Sequence, residues 1–165
     1  MGKVYRYNLL GYAGSISRSV DDVVVSLANK DDKDIPFGHP VFMNSDGSGV
    51  VGISASSDAG KFVGFTVRSG AKTPDAYDDP DGNGANSTAV YKKGEIMDVL
   101  VRGSMTVDCT GSAPKPGMPA YLNKTYGIVS ALSSDSTLTV PGIYFRTERD
   151  ASGRAEIVIT ERHVQ

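Results

Sequence analysis

"PFGHPVFMN", residues 36–44, returns 79 positions later as "KPGMPAYLN", residues 115–123. Gly38 meets Gly117, Pro40 meets Pro119 and Asn44 meets Asn123, while Phe42 and Met43 are replaced by Tyr121 and Leu122. His39 meets Met118, so the recurring piece keeps its turn and its strand and dispenses with the imidazole. A glycine followed after one residue by proline turns the chain and fixes φ where a strand begins, a position at which the missing proline amide costs nothing. A shift of 78 lays "GFTVR" (64–68) over "GIYFR" (142–146). Each copy then reads as a turn, a short strand, a polar hairpin ("NSDGSG", "NKTYG") and a strand ending in Arg68 or Arg146. After a loop comes a strand opening on Glu95 or Glu156. The spacing predicts two pseudo-repeated β units of about 80 residues, 21–91 and 92–165, sharing one core in a single domain, 21–165. Residues 1–20 precede them as an extended arm.

The local patterns agree. In "DVVVSL" (22–27) Val23, Val25 and Leu27 share one face, and in "FVGFTVR" (62–68) Val63, Phe65 and Val67 do the same. Similar short alternations occur in "EIMDVLVRG" (95–103), "SMTVD" (104–108), "GIYFRT" (142–147) and "AEIVITE" (155–161). The 19 glycines and 8 prolines punctuate the chain too often for helices of ordinary length. The expected class is all-β, a β-sandwich or small β-barrel with long loops.

Composition excludes several functions. With 17 basic and 19 acidic residues and a formal charge of −2, the chain offers no basic stripe to nucleic acid. A single cysteine, Cys109, rules out an intrachain disulfide, and with only two histidines there is no conventional zinc cluster. The opening "MGKVYRYNLLGYAGS" lacks the apolar core of a signal peptide, and no later stretch has the apolar length of a membrane span, so a soluble product is expected. There is no G-x-S-x-G and no phosphate-binding glycine loop, and the ordered motifs of the small trimeric β-fold nucleotide hydrolases are missing. The expectation is a non-enzyme without a cofactor.

Four segments, in order, then suggest a family: "GYAGSISRS" (11–19), "IPFGHPVF" (35–42), "GKFVGFTVRS" (60–69) and "YKKGEIMDVLVRGSMTV" (91–107) followed by "PGMPAYL". This order and spacing resembles the structural cement proteins of tailed bacteriophages, over residues 11–147. The resemblance implies a decoration protein made in the host cytoplasm and carried on the outer surface of the virion. There a homo-oligomer, dimer or trimer, would sit across junctions of the major capsid protein and resist internal DNA pressure. It implies neither nucleic acid nor membrane as a partner.

Interface candidates follow from residue type. The arm carries Tyr5, Arg6, Tyr7, Leu9, Leu10, Tyr12 and Arg18, and aromatic and arginine side chains are the usual interface anchors. Arg68 and Arg146 stand on the outward face of their strands, where a guanidinium can hold carbonyls or a carboxylate of a neighbouring loop or subunit. "DPDGNG" (79–84) matches the first six positions of a calcium loop through Asp79, Asp81 and Asn83, but the twelfth position is Val90 where a glutamate is needed. It reads as an acidic loop rather than a metal site. A carbohydrate-binding or adhesion β-sandwich of a virion is the alternative, and it would need exposed aromatic platforms, for which there is no Trp.

Overall fold

The computed structural model describes residues 10–69 and 90–161, the side chains of Ser19 and Val20 excepted. Eleven strands run through them: β1 (Ile16–Ala28), β2 (Ile35–Pro36), β3 (Pro40–Met43), β4 (Val50–Gly52), β5 (Phe62–Thr66), β6 (Val90–Tyr91), β7 (Ile96–Thr110), β8 (Pro119–Asn123), β9 (Val129–Ser130), β10 (Thr137–Phe145) and β11 (Arg154–Ile159). Among the described residues the helical content is a single 3-10 turn, Ala59–Lys61. Residues 16–20, expected in the arm, already belong to β1.

β7 organises the molecule. The sequence suggested two strands, 95–103 and 104–108, but they form one strand of 15 residues. The chain passes Gly103 at φ +123, and a Cβ there would lie 2.1 Å from Asp22 Oδ1, so only glycine lets β7 bend under the β1 bulge without ending. β1 pairs with β7 from Ile96 to Met105, β5 meets it at Val99 and Leu100, and β11 pairs with it from Gly103 to Asp108. β9 runs parallel to its last two residues, Cys109 and Thr110.

These pairings close a barrel, β7-β9-β8-β10-β11 and back to β7. A second circuit, β1-β7-β5-β3-β4, returns to the end of β1 through one parallel bridge, Asn29 to Val50. The two circuits hold β7 in common. Their echoed turns make matching bonds. Gly38 N–H donates to the Thr66 carbonyl (2.9 Å) and Thr66 N–H to the His39 carbonyl (3.0 Å). Gly117 N–H donates to the Phe145 carbonyl (2.7 Å) and Phe145 N–H to the Met118 carbonyl (2.9 Å). Both glycines have left-handed φ, +72 and +85.

The buried apolar residues fall into two clusters where one shared core was expected. One fills the closed barrel and extends to Phe42, Phe62, Phe65 and Leu100; the other gathers Ile35, Phe37, Val41, Val50, Val63, Tyr91, Met97, Val99 and Val101 inside the second circuit. Val23, Val25 and Leu27 pack against the second cluster together, on the face their alternation predicts. The alternation fails in β5: Phe65 and Val67 belong with the first cluster and Val63 with the second. The ladder from β3 pairs Val41 with Gly64 and then Phe42 with Phe62, skipping Val63. One bulged residue flips the parity, so that Phe62 and Phe65 stand on the same side with ring centroids 5.7 Å apart. β5 is buried on both faces, and each of its phenylalanines contributes roughly 2 to 3 kcal/mol by leaving water.

Candidate functional site

The described part of the arm is pinned to β7 and to the end of β5. Gly14 N–H donates to the Thr106 carbonyl (2.9 Å), Thr106 N–H to the Ser15 carbonyl (2.9 Å), and Arg68 N–H to the Gly14 carbonyl (2.8 Å). Thr106 Oγ1 also donates to the Leu10 carbonyl. This close seating needs two glycines face to face. A Cβ on Gly14 would come within 2.9 Å of Gly38 N, and one on Gly38 within 2.7 Å of Gly14 N. The "GYAGS" head and the "FGHP" turn, recognised separately in the sequence, are two halves of one contact.

On this root sits Tyr12, half of whose surface is exposed. The Arg68 guanidinium lies 4.6 Å from the centre of its ring and Arg154 lies 5.3 Å from it, while Arg68 also faces Phe37 at 5.7 Å. Arg154 is held in turn by Asp108 (Nε to Oδ1, 3.3 Å) and donates from Nη1 to the Gly11 carbonyl (3.3 Å). Two cations over one ring hold the aromatic at the surface beside Gly11.

Six residues after Tyr12, Arg18 makes a two-pronged bond to Glu156, Nε to Oε1 at 2.8 Å and Nη2 to Oε2 at 3.3 Å, and Ser17 Oγ donates to Oε1 at 3.0 Å. Glu156 is buried in β11, whereas most of the Arg18 side chain is exposed. A buried carboxylate is tolerable only with such partners. Beside this pair opens a cavity of about 410 Å³, lined by Arg18, Asp22, Arg102, Arg146 and Val158. Arg102 approaches Asp21 at 4.0 Å on its rim.

The structure thus joins Tyr12 with Arg68, joins Arg18 with Arg146, and places Leu10 at the root. Tyr5, Arg6, Tyr7 and Leu9, together with Asp79, Asp81 and Asn83, lie outside the described residues. Sequence reasoning missed Arg154, Asp108 and Thr106, each an ordinary strand residue until the arm is laid across it. It paired Glu95 with Glu156, yet they do different work: Glu95 Oε2 accepts from Lys92 N–H (2.7 Å) to close a turn, and Glu156 anchors Arg18.

His39 is packed on one side and borders a cavity of about 180 Å³, while Cys109 is buried. The His39 imidazole lies against Gly127 of the β8–β9 hairpin, so close that a Cβ there would stand 2.5 Å from Nδ1. Burial holds His39 below the ordinary imidazole range, with the charge of Asp108 opposing. Burial raises the Cys109 thiol, with Arg149 opposing. Among the described residues no group of His, Cys, Asp or Glu is placed to hold a metal ion, and no helix is long and apolar enough to cross a membrane.

The family described as structural cement protein (E217 gp24/Pam3 gp6) matches residues 2–160. A chain from the capsid of Myoviridae phage XM1 superposes with a TM-score of 0.74 at 16% identity, covering 97% of this chain and 96% of that one; at this identity the likeness speaks for the fold. The N base of the head fiber gp8.5 of bacteriophage phi29 aligns at a TM-score of 0.43 and 13% identity, over 87% of this chain and 99% of that one. No curated protein sequence matches.

Proposed function

Because the chain belongs to the structural cement proteins of bacteriophages, a capsid-associated structural family, we propose that it clamps the head of a tailed phage from outside. It binds across junctions of the major capsid protein as a homo-oligomer and stabilises the shell without catalysis or cofactor. The observation that carries this reading is the pinned arm root. Leu10 to Arg18 are tied to β7, β11 and Arg68, so Leu10, the residue to which the rest of the arm is joined, is held at a fixed point beside Tyr12, Arg68 and Arg154. An arm with a fixed origin loses less entropy on docking than a free tail, and symmetric copies multiply many shallow contacts.

The two circuits, with their matching turn bonds and shared β7, support a further part of the proposal, that they are copies of one β unit. A sugar-binding reading draws on one feature, Tyr126 at 68% exposure beside a cavity of about 180 Å³ that includes Asp31, Asp34 and His39. Binding of a glycan that Tyr126→Ala abolishes would favour it.

The test uses cryo-EM of heads with and without the protein, and with a variant lacking residues 2–9. Density on the outer shell at subunit junctions, weakened by the deletion, is expected. Occupancy unchanged by the deletion would refute the role of the arm, and absence of the protein from particles would refute the whole reading.

A further inference from the structure

β1 has a second edge. Asn29 N–H donates to the Glu95 carbonyl and Gly94 N–H to the Asn29 carbonyl, both at 2.8 Å, so Asn29 and, by alternation, Val25 and Leu27 aim their backbone groups at β7. The residues between them aim the other way. Lys30 N–H donates to the Val50 carbonyl (2.8 Å), and a Cβ on Gly49 would stand 2.5 Å from the Ala28 carbonyl oxygen, so the β3–β4 hairpin covers the end of this edge. At Ser26 and Val24 the hairpin is past, and among the described residues β1 pairs with no strand but β7.

The closed barrel treats the matching place differently. Where β7 runs up to β9, its edge is covered by the chain's own Gly14 to Ile16, through the two Thr106 bonds and the Ile16–Met105 pair. In the second circuit β1 runs up to β4 in the same manner, and nothing among the described residues plays the part of Gly14 to Ile16. Bare edges of this kind pair with other chains unless they are blocked.

Side chains around the bare edge define what fits. Val24 is 40% exposed and Ile96 is 65% exposed, on the outer face of β1 and β7, with the Ser26–Asp98 hydrogen bond (2.9 Å) between them. Asp98 and Asp21 are exposed; Arg102 sits 4.0 Å from Asp21. The edge therefore asks for an extended segment with an apolar face and cationic side chains. A second β1 would set Asp21 and Asp98 against a partner edge bearing the same acids. Residues 3–9, "KVYRYNL", have the required pattern. As a strand they would put Tyr5, Tyr7 and Leu9 on one face with Lys3 at its end and Arg6 on the other, so a cation is available on either side for the acids. Nine residues reach about 30 Å from their root when extended.

We propose that the bare edge of β1 at Val24–Ser26 receives the N-terminal arm of a second copy as an added strand, so that arms link the copies that decorate the head. This rests on the reading that residues 1–9 act between molecules. It commits that arm to a neighbour of the same kind, and the capsid shell to the remaining surface.

The test is sedimentation velocity of the full chain, of a variant lacking residues 2–9, and of Val24→Pro. The Val24 N–H points away from β7, so proline there removes no bond among the described residues and blocks the added strand. Expected are self-association of the full chain and at least a tenfold rise in its dissociation constant in both variants. Hydrogen exchange supplies a second measurement, which decides alone if Val24→Pro does not fold. The Val24 and Ser26 amides should be protected in the associated full chain and exchange fast in the deletion variant. A monomeric full chain, association that survives the deletion, or fast exchange at both amides in the associated state each overturns the proposal. A deletion that weakens capsid binding in a chain that does not self-associate also overturns it, while leaving the capsid reading intact.

Discussion

Replacing Arg18 by Met tests whether the arm root is anchored or merely adjacent. The substitution keeps much of the aliphatic stem and removes the guanidinium. Glu156 then retains the Ser17 hydroxyl, one of the three hydrogen bonds its carboxylate accepts, in a position where its side chain is 3% exposed. Breaking a buried pair by deleting one partner costs about 3 to 5 kcal/mol. The Arg18 side chain is itself 59% exposed, so water enters where it stood, and the longer Nη2 bond at 3.3 Å adds little; both place the loss at about 2 to 3 kcal/mol. For a chain of 165 residues that is a fall in Tm of about 5 to 10 °C. Urea denaturation measures it, and Glu156→Leu combined with Arg18→Met completes a double-mutant cycle. The double variant should be more stable than Arg18→Met alone, because no carboxylate is left stranded in it. A loss under about 0.5 kcal/mol for Arg18→Met, or a double variant whose loss equals the sum of the single ones, would show the pair to be an ordinary surface bridge.

The echoed turns offer a matched comparison. Gly117→Ala meets nothing within 4 Å and should cost only the left-handed φ, about 1 to 2 kcal/mol, whereas Gly38→Ala drives a Cβ against Gly14 N and should cost at least about 2 kcal/mol more by thermal unfolding; equal losses would refute the glycine-to-glycine seating. His39 should make stability fall in mild acid. Its folded pKa lies below the ordinary 6.5, so the unfolded chain binds the proton first, and stability present above pH 6.5 is lost as pH drops toward the folded value, by up to about 1.4 kcal/mol per pH unit. His39→Met, copying Met118, should flatten that part of the pH profile, and a profile unchanged by the substitution would sink the assignment. Cys109, buried with its thiol pKa raised, should react with a thiol reagent in the native protein far more slowly than in urea; rapid native labelling would contradict its place in the core.

What the sequence disclosed and what it withheld divide along a physical line. The all-β class, the Gly-x-Pro turns and the inward face of "DVVVSL" depend on neighbours a few residues apart, and all three appear in the structure. The continuity of β7 did not show, because Gly103 in "LVRGSM" reads as a break; that it is a bend depends on Asp22, far away in the chain. The face of Val63 did not show either, since a bulge is a property of the pairing with β3 and not of β5 alone. Arg18, Tyr12 and Arg68 were recognisable as residue types, but the partners that fix them, Glu156 and Arg154, come from a strand more than 130 positions away from the arm.

The same distances bear on how the molecule would carry load in the proposed role. The arm root bonds to Thr106 in the middle of β7, to Glu156 and Arg154 of β11, and to Arg68 just past β5. β7 and β11 belong to the closed barrel, and β5 and β7 to the second circuit. A pull applied at Leu10 would therefore not peel a terminal strand from one sheet. It is divided among backbone bonds to β7, a buried ion pair and two cation–aromatic contacts, and it reaches both apolar clusters through the strand they share. An arm joined to one circuit alone could be unzipped one bond at a time. An arm rooted on β7 must disturb both circuits, and that follows from placing Gly14 against Gly38 and Arg18 against Glu156.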